Sequence, residues 1–218
     1  MTLFTQMYRL AAEPFFLSNF SKDDFKEMNA AALKYFVMVS MFIFLGIALY
    51  RDIFALIVGR NFREGIHILP VVLGANILGG VWLNLSFWYK REEKTRYALW
   101  ITLTGLVCSV GFGALLIPRL GYYGAAWSRF AAEVVMVVVS IVLNRLYYPT
   151  PYQFGRMAEY VALALALFFV AERLSLPNDV VRYTVSTIFV VIYLCYAVWR
   201  EKIDMKAMFN PILRRGKR

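Results

Sequence analysis

The sequence predicts an all-α polytopic membrane protein with about six transmembrane helices and a partial helix at the N-terminus. Apolar residues make up 61% of the 218 residues, whereas soluble domains are nearer one half apolar. Several apolar runs are about 20 residues long, and at a rise of ~1.5 Å per residue each can cross a hydrocarbon core of ~30 Å. The basic residues concentrate between these runs, which is typical of the loops of a membrane protein.

Two of the apolar runs, residues 98–117 and 125–143, are predicted to form a transmembrane hairpin. The first run contains no charged residue. Pro118 is expected to end the first helix, and Gly121 allows a tight turn before the second. Trp127 suits the headgroup layer, where an aromatic ring is half exposed to water.

The predicted transmembrane bundle covers residues 1–199, and a strongly basic cytoplasmic tail covers residues 200–218. The tail is expected to lie on anionic membrane lipids. Residues 2–9 look like the middle of a helix, so Met1 is expected to be an internal position of a longer chain. The predicted spans are approximately residues 3–20, 35–58, 66–89, 98–117, 125–143, 157–172 and 180–199.

The distribution of lysine and arginine predicts the orientation of the bundle. Sixteen of these residues lie in the connections and tail on one side, and five lie on the other side. Because basic loops remain in the cytoplasm, the richer side is predicted to be cytoplasmic, and the C-terminus lies there. This topology explains the net charge of +10, so no nucleic-acid partner is predicted.

Four segments carry a resemblance to a known family. They are YRLAAEPFF at 8–16, SFWY at 86–89, LIPRLGYYGAAW at 116–127 and YYPTPY at 147–152. In this order and spacing they resemble the C-terminal half of the polysaccharide-biosynthesis flippases. These are the Wzx-type members of the multidrug/oligosaccharidyl-lipid/polysaccharide exporter superfamily, which has a MATE/MurJ-like fold.

The resemblance implies most of the second lobe of a fourteen-helix transporter, with an N-terminal lobe as its partner. The implied substrate is a lipid-linked oligosaccharide on a polyprenyl pyrophosphate carrier, such as a repeat unit of O-antigen or capsular polysaccharide. The transporter would move it across the bacterial inner membrane by alternating access. The resemblance implies no covalent chemistry and no cofactor.

Polar and charged side chains within the apolar runs are the candidates for a substrate-binding cavity. An intramembrane charge costs ~2.5–3.5 kcal/mol on insertion scales and usually faces the bundle interior or a wet cavity. The cavity candidates are Arg9, Glu13, Asn76, Asn84, Arg129 and Glu133. Arg9 is expected to contact the pyrophosphate, although Arg9 and Glu13, four residues apart, could also simply neutralise each other.

The other candidates have structural interpretations that compete with a role in binding. Arg129 and Glu133 are also four residues apart, and mutual pairing is the favoured interpretation for them. Asn76 and Asn84 could line the cavity or bond across helices, and bonding, worth ~0.6 kcal/mol on average, is the commoner use. His67 is the only histidine and has no acidic cluster near it, so no metal site is predicted.

Three other functions remain open at this point. They are cation-coupled export by a MATE-like transporter, a membrane enzyme of glycan assembly, and a structural membrane subunit. An enzyme would need reactive groups in a large external loop or a histidine–acid pair. The single histidine and the short outer connections therefore predict a protein that is not an enzyme. Because one lobe cannot enclose a two-lobed cavity, this chain is not expected to transport alone.

Overall fold

The computed structural model describes residues 1–57, 65–174 and 179–201. Within these ranges every regular element is a helix. The described helices are α1 (Thr2–Ser18), α2 (Phe25–Leu49), α3 (Arg51–Ile57), α4 (Leu69–Leu85), α5 (Phe87–Arg91), α6 (Arg96–Leu120), α7 (Tyr122–Tyr147), α8 (Phe154–Arg173) and α9 (Asp179–Glu201). The predicted tail lies outside the described residues, except for Arg200 and Glu201, which belong to α9.

Six helical segments are long and apolar enough to cross a membrane. They are Phe25–Leu49, Gly65–Arg91, Arg96–Leu120, Tyr122–Tyr147, Phe154–Arg173 and Val180–Glu201. The second of these combines a short turn at residues 65–68 with α4 and α5. The protein is thus a multi-pass helical membrane protein, and the predicted fold class is confirmed. The shorter helix α1 precedes the six and continues through Pro14.

The second predicted span differs from the observed helix at both ends. The sequence predicts a span over 35–58, but α2 begins at Phe25 and ends at Leu49. The sequence also predicts an amphipathic segment at the membrane interface over residues 23–34, just before this span. This segment continues the same helix because Phe25 and Leu33 are fully buried within the bundle. A break at Tyr50 then separates α2 from α3.

The turn between α6 and α7 is tighter than the sequence predicts. The helix expected to end at Pro118 continues to Leu120, and Gly121 alone joins α6 to α7. Proline removes only its own N–H from the helical ladder, and the Gly121 N–H still bonds to the Ile117 carbonyl at 2.8 Å. Gly121 has a φ of +56°, which glycine adopts without steric cost.

Small residues let α6 and α7 approach each other closely. A Cβ added to Gly124 would overlap the carbonyl group of Leu116, and one added to Gly105 would overlap the side chain of Met136. Close backbone approach of this kind drives helix packing in lipid. The two helices therefore form one tightly packed hairpin.

The bundle is organised around α2 and α4, which pack on each other. On this pair, α1 and α7 pack against α4, while α8 and α9 pack against α2. The α6 helix packs on α7. The largest fully buried side chains include Trp88, Tyr89, Tyr160 and Tyr193, so aromatic rings fill much of the interior.

The two ends of the bundle differ in composition and are named here for later use. The Gly121 end contains the α6–α7 turn, the break at Tyr50 and the end of α8 at Arg173. The basic end contains the loops at residues 19–24, 92–95 and 148–153 and the end of α9 at Glu201. Most of its lysines and arginines lie on the helix ends beside these loops.

The close α6–α7 contact predicts that a single methyl group added at Gly124 destabilises the protein. Replacing Gly124 with alanine places a Cβ against backbone atoms that cannot move aside. Overpacking of this kind costs about 1–3 kcal/mol, so Gly124→Ala is expected to lower the thermal unfolding midpoint of the purified protein in detergent.

Gly111→Ala is the matched control, because nothing lies within 4 Å of a Cβ at that position of α6. Its unfolding midpoint is expected to stay unchanged. Equal midpoints for the two variants would contradict the close packing at Gly124.

Candidate functional site

A polar cleft lies among α1, α4 and α7, in the middle part of the bundle, and has a volume of about 190 Å³. Its lining residues are Thr2, Thr5, Gln6, Arg9, Asn76, Gly79, Gly80, Trp82, Leu83 and Arg129. Three of the six predicted cavity residues therefore meet here. The structure brings Arg9, Asn76 and Arg129 together although they are far apart in the sequence.

Glycine at two positions of α4 shapes the floor of the cleft. A Cβ added to Gly80 would overlap the ring of Phe36 and lie 2.8 Å from Cγ2 of Thr5. The first turns of α1 therefore rest directly on the backbone of α4. A Cβ added to Gly79 would lie 3.5 Å from the Oε1 atom of Glu133, so that carboxyl group reaches the edge of the same surface.

Arg129 is held at the cleft by an amide on the neighbouring helix. Its Nη2 atom donates a hydrogen bond of 3.1 Å to the Oδ1 atom of Asn76. The Nδ2 atom of Asn76 in turn donates to the carbonyl of Val72 at 2.9 Å, which fixes the orientation of the amide. Asn76 thus combines the two roles that the sequence left open, because it lines the cleft and bonds across helices.

The favoured pairing of Arg129 with Glu133 is not formed as a close contact, although the charge of Arg129 still acts on the Glu133 carboxyl group. No ion pair joins the two residues in the described part of the chain, since Arg129 reaches across to Asn76 instead. The Oε2 atom of Glu133 is buried and has no hydrogen-bond partner among the described residues. Glu133 therefore keeps an unpaired carboxyl oxygen beside the cleft.

Arg9 extends into the cleft, whereas Glu13 does not line it. The Nε atom of Arg9 lies 3.5 Å from the Oε1 atom of Glu13, and the Arg9 side chain is 54% exposed. Glu13 has a closer partner in Lys90, whose Nζ atom donates to the same oxygen at 3.0 Å. Glu13 is thus drawn toward the basic end, away from the cavity in which the sequence predicts it.

Asn84 is a structural residue in this arrangement. It is fully buried, and its Oδ1 atom accepts a hydrogen bond of 2.6 Å from the Tyr8 hydroxyl. Its Nδ2 atom donates to the Gly80 carbonyl at 3.0 Å. The predicted bond across helices is therefore confirmed, and Asn84 does not line the cleft.

Sequence reasoning missed a buried ionic cluster at the basic end. Lys34 of α2 pairs with Glu201 of α9, and both side chains are almost fully buried. The Tyr160 hydroxyl also donates to Glu201, at 2.8 Å. The sequence shows a charged residue near each of these helix ends. Only the fold shows that Lys34 and Glu201, which are far apart in the sequence, are partners.

Two further ion pairs that the sequence does not reveal join helices at the Gly121 end. Arg51 lies 3.0 Å from Glu172, and Arg182 lies 3.1 Å from Asp52. Both pairs connect α3 to the last two described helices. Arg51 and Asp52 lie in the first turn of α3.

The loop between α7 and α8 closes the basic end. Arg91 donates to the Tyr148 hydroxyl, and the Lys26 ammonium group lies 4.4 Å from the centre of the same ring. Asn29 donates to the Tyr152 hydroxyl at 3.1 Å. Burial raises the pKa of Tyr152 above its ordinary value, so the phenol remains neutral and serves as a hydrogen-bonding group.

The fold and the cleft define a multi-pass helical membrane protein with a polar cleft in the middle part of its bundle. No family model and no curated protein matches this sequence. Among solved structures, the chain is similar to "Lipid II flippase MurJ, inward closed conformation", with a TM-score of 0.69 and 13% sequence identity. The match covers 91% of this chain and 45% of that one.

This likeness shows the fold alone, which is that of part of the MurJ structure. The predicted MurJ-like helical fold is thereby confirmed. The chain spans less than half the length of the MurJ structure that it matches, since the match covers 45% of that protein.

Proposed function

We propose that this chain is part of a flippase that moves a lipid-linked oligosaccharide across the membrane. The observation that supports this most directly is the meeting of Arg9, Asn76 and Arg129 at one polar cleft within an apolar bundle. Two guanidinium groups within a membrane bundle are expensive unless they face water or an anion. The Glu13 carboxylate, 3.5 Å from Arg9, is shared with Lys90, and Arg129 bonds to the neutral amide of Asn76. A function that brings an anion to this depth accounts for the presence of the two guanidinium groups.

The pyrophosphate of a polyprenyl carrier is such an anion. Guanidinium groups bind phosphate oxygens through parallel, charge-assisted hydrogen bonds. Arg9 is 54% exposed and can turn toward a ligand, while Arg129 is oriented by Asn76. The sugars would occupy the cleft, and the lipid tail would remain in the bilayer. No bond is made or broken in this mechanism, so the proposed protein is a transporter and not an enzyme.

We propose that the cleft is completed by an N-terminal lobe and that transport proceeds by alternating access of the two lobes. The match to only 45% of the MurJ structure supports the existence of further helices. The Wzx-type resemblance supports an O-antigen or capsular repeat unit as the substrate. It also supports the bacterial inner membrane as the location, and the basic loops support a cytoplasmic C-terminus.

A second candidate is cation-coupled export, which the unpaired oxygen of Glu133 favours. A carboxyl group with a buried, unbonded oxygen at membrane depth is costly, and such groups often relay protons or bind ions. Coupling to an ion is also compatible with flipping. The two candidates therefore differ in the substrate that is carried. A variant of Glu133 tests a separate question, which is whether an ion or proton gradient drives the transport.

The flippase proposal predicts that both cleft arginines are needed for transport. In the full-length protein, Arg9→Ala and Arg129→Ala are each expected to slow leaflet transfer of a labelled polyprenyl-pyrophosphate oligosaccharide. A hydrogen bond to a charged group is worth about 1.5–3 kcal/mol, so the expected loss is about tenfold to a hundredfold. The measurement is leaflet transfer in reconstituted vesicles.

Lys94→Ala is the matched control, since Lys94 is a cation in the loop before α6 and its ion-pair partner among the described residues is Glu92, at 3.7 Å. Transfer by this variant should equal that of the unmodified protein. Arg9→Lys should retain part of the activity because the positive charge remains. Normal transfer by both alanine variants would overturn the assignment of the cleft.

A coupling role for Glu133 makes a separate prediction. Glu133→Gln removes the charge and keeps the size, so an imposed ion or proton gradient should no longer accelerate transfer. Binding of the lipid-linked oligosaccharide should be unchanged. Glu92→Gln, in an exposed loop, is the control and should keep the response to the gradient. A full response in Glu133→Gln would contradict the coupling role.

A further inference from the structure

A second cavity, separate from the polar cleft, lies among α2, α4, α7 and α8. Its volume is about 360 Å³, and the residues that line it are all apolar or aromatic, except for Gly74. Representative residues are Val37, Phe44, Val81, Trp127 and Leu165. We call this cavity the apolar groove.

The apolar groove and the polar cleft lie on opposite faces of α4. Asn76 and Gly79 line the cleft, whereas Gly74 and Val81 line the groove. At ~100° per residue, the two sets project in nearly opposite directions from the helix axis. A second lobe that encloses the cleft would therefore leave the groove facing away from it, toward lipid.

The groove occupies a gap between two helices that are consecutive in the chain. The α7 helix packs on α4, and α8 packs on α2. The groove therefore lies between α7 and α8, against the central helices α2 and α4. Its lining includes side chains that remain well exposed on both helices, with Trp127 of α7 at 47% and Phe169 of α8 at 60%. The groove is thus accessible from the lipid side.

The length of the groove matches one leaflet of a bilayer. Along α4 it extends from Pro70 to Val81, which is roughly 16 Å at ~1.5 Å per residue. This is about half of a ~30 Å hydrocarbon core. Pro70 lies in the first turn of α4, at the Gly121 end, so the groove lies in the half of the bundle nearest that end.

We propose that the apolar groove binds one acyl chain of a bilayer phospholipid from the leaflet at the Gly121 end. Water cannot form hydrogen bonds with a surface that has no polar groups. In an empty groove, the side chains of the walls would lose dispersion contacts. An acyl chain restores those contacts over the full depth of the groove. Trp127, a half-exposed ring in the lining of the groove, suits the level of the headgroups.

A phospholipid chain fits the groove better than the tail of the proposed transport substrate. The groove ends at mid-depth, near Val81, so it holds a chain of one leaflet and not a longer polyprenyl tail. The guanidinium groups proposed to hold the pyrophosphate lie on the opposite face of α4. The bound chain fills the space between α7 and α8 and thereby links the two helices.

Photo-crosslinking tests this proposal in the full-length protein. The protein is reconstituted in vesicles that contain a phosphatidylcholine with a photoreactive diazirine at the middle of one acyl chain, and adducts are mapped by mass spectrometry. Adducts are expected to concentrate on groove residues such as Ile77 and Leu165. Val161→Phe, which fills the groove, should lower them several-fold relative to adducts on the exposed face of α6.

Val107→Phe is the matched control, because Val107 is 70% exposed on α6 and lies outside the groove. It should leave the groove adducts unchanged. Unchanged adducts on α6 and an unchanged unfolding midpoint would show that Val161→Phe remains folded.

Three results would overturn the proposal. Adducts spread equally over the groove and α6 would indicate annular lipid only. An absence of groove adducts would indicate that another part of the protein covers this surface. Loss of phospholipid adducts on addition of a polyprenyl phosphate would assign the groove to the tail of that lipid. None of these outcomes bears on the role of the arginines in the polar cleft.

Discussion

The cost of an unpaired polar group in hydrocarbon governs the arrangement of these helices. No water is available at that depth, so each polar side chain needs a partner from the protein or from a ligand. The buried Lys34 meets Glu201, and Tyr8 meets Asn84. In both cases the partner belongs to another helix. Each polar contact therefore fixes the position of one helix against another, in addition to satisfying the group itself.

The polar cleft is one place where this pairing is incomplete. Arg9 is more than half exposed, and one oxygen of Glu133 has no partner among the described residues. A bundle selected only for stability would have little reason to keep such groups at mid-depth. The opposite face of α4 has the reverse character, since the groove from Pro70 to Val81 is lined by apolar groups. One helix thus separates a surface suited to a polar ligand from a surface suited to hydrocarbon.

The sequence predicts the number of crossing helices well because continuous apolar runs are a local property. It predicts partners poorly, because partners depend on which helices are neighbours. The local spacing of Arg129 and Glu133 favours a pair within one helix, but Arg129 bonds to Asn76 of α4. Glu13 similarly finds Lys90 of α5. The prediction that the helix ends at Pro118 is also wrong, because the loss of one N–H group at proline does not unwind the last turn of the helix.

A polar cleft among α1, α4 and α7 that is open to water inside a membrane bundle should admit a small charged reagent. Cysteine accessibility measures this, in a full-length protein whose Cys108 and Cys195 are replaced by alanine. Single variants Asn76→Cys, in the cleft, and Val107→Cys, on the exposed face of α6, are treated with a small charged methanethiosulfonate on both sides of the membrane. We expect rapid modification of the first variant and slow modification of the second. Equally slow modification of both would show that the cleft is closed to water.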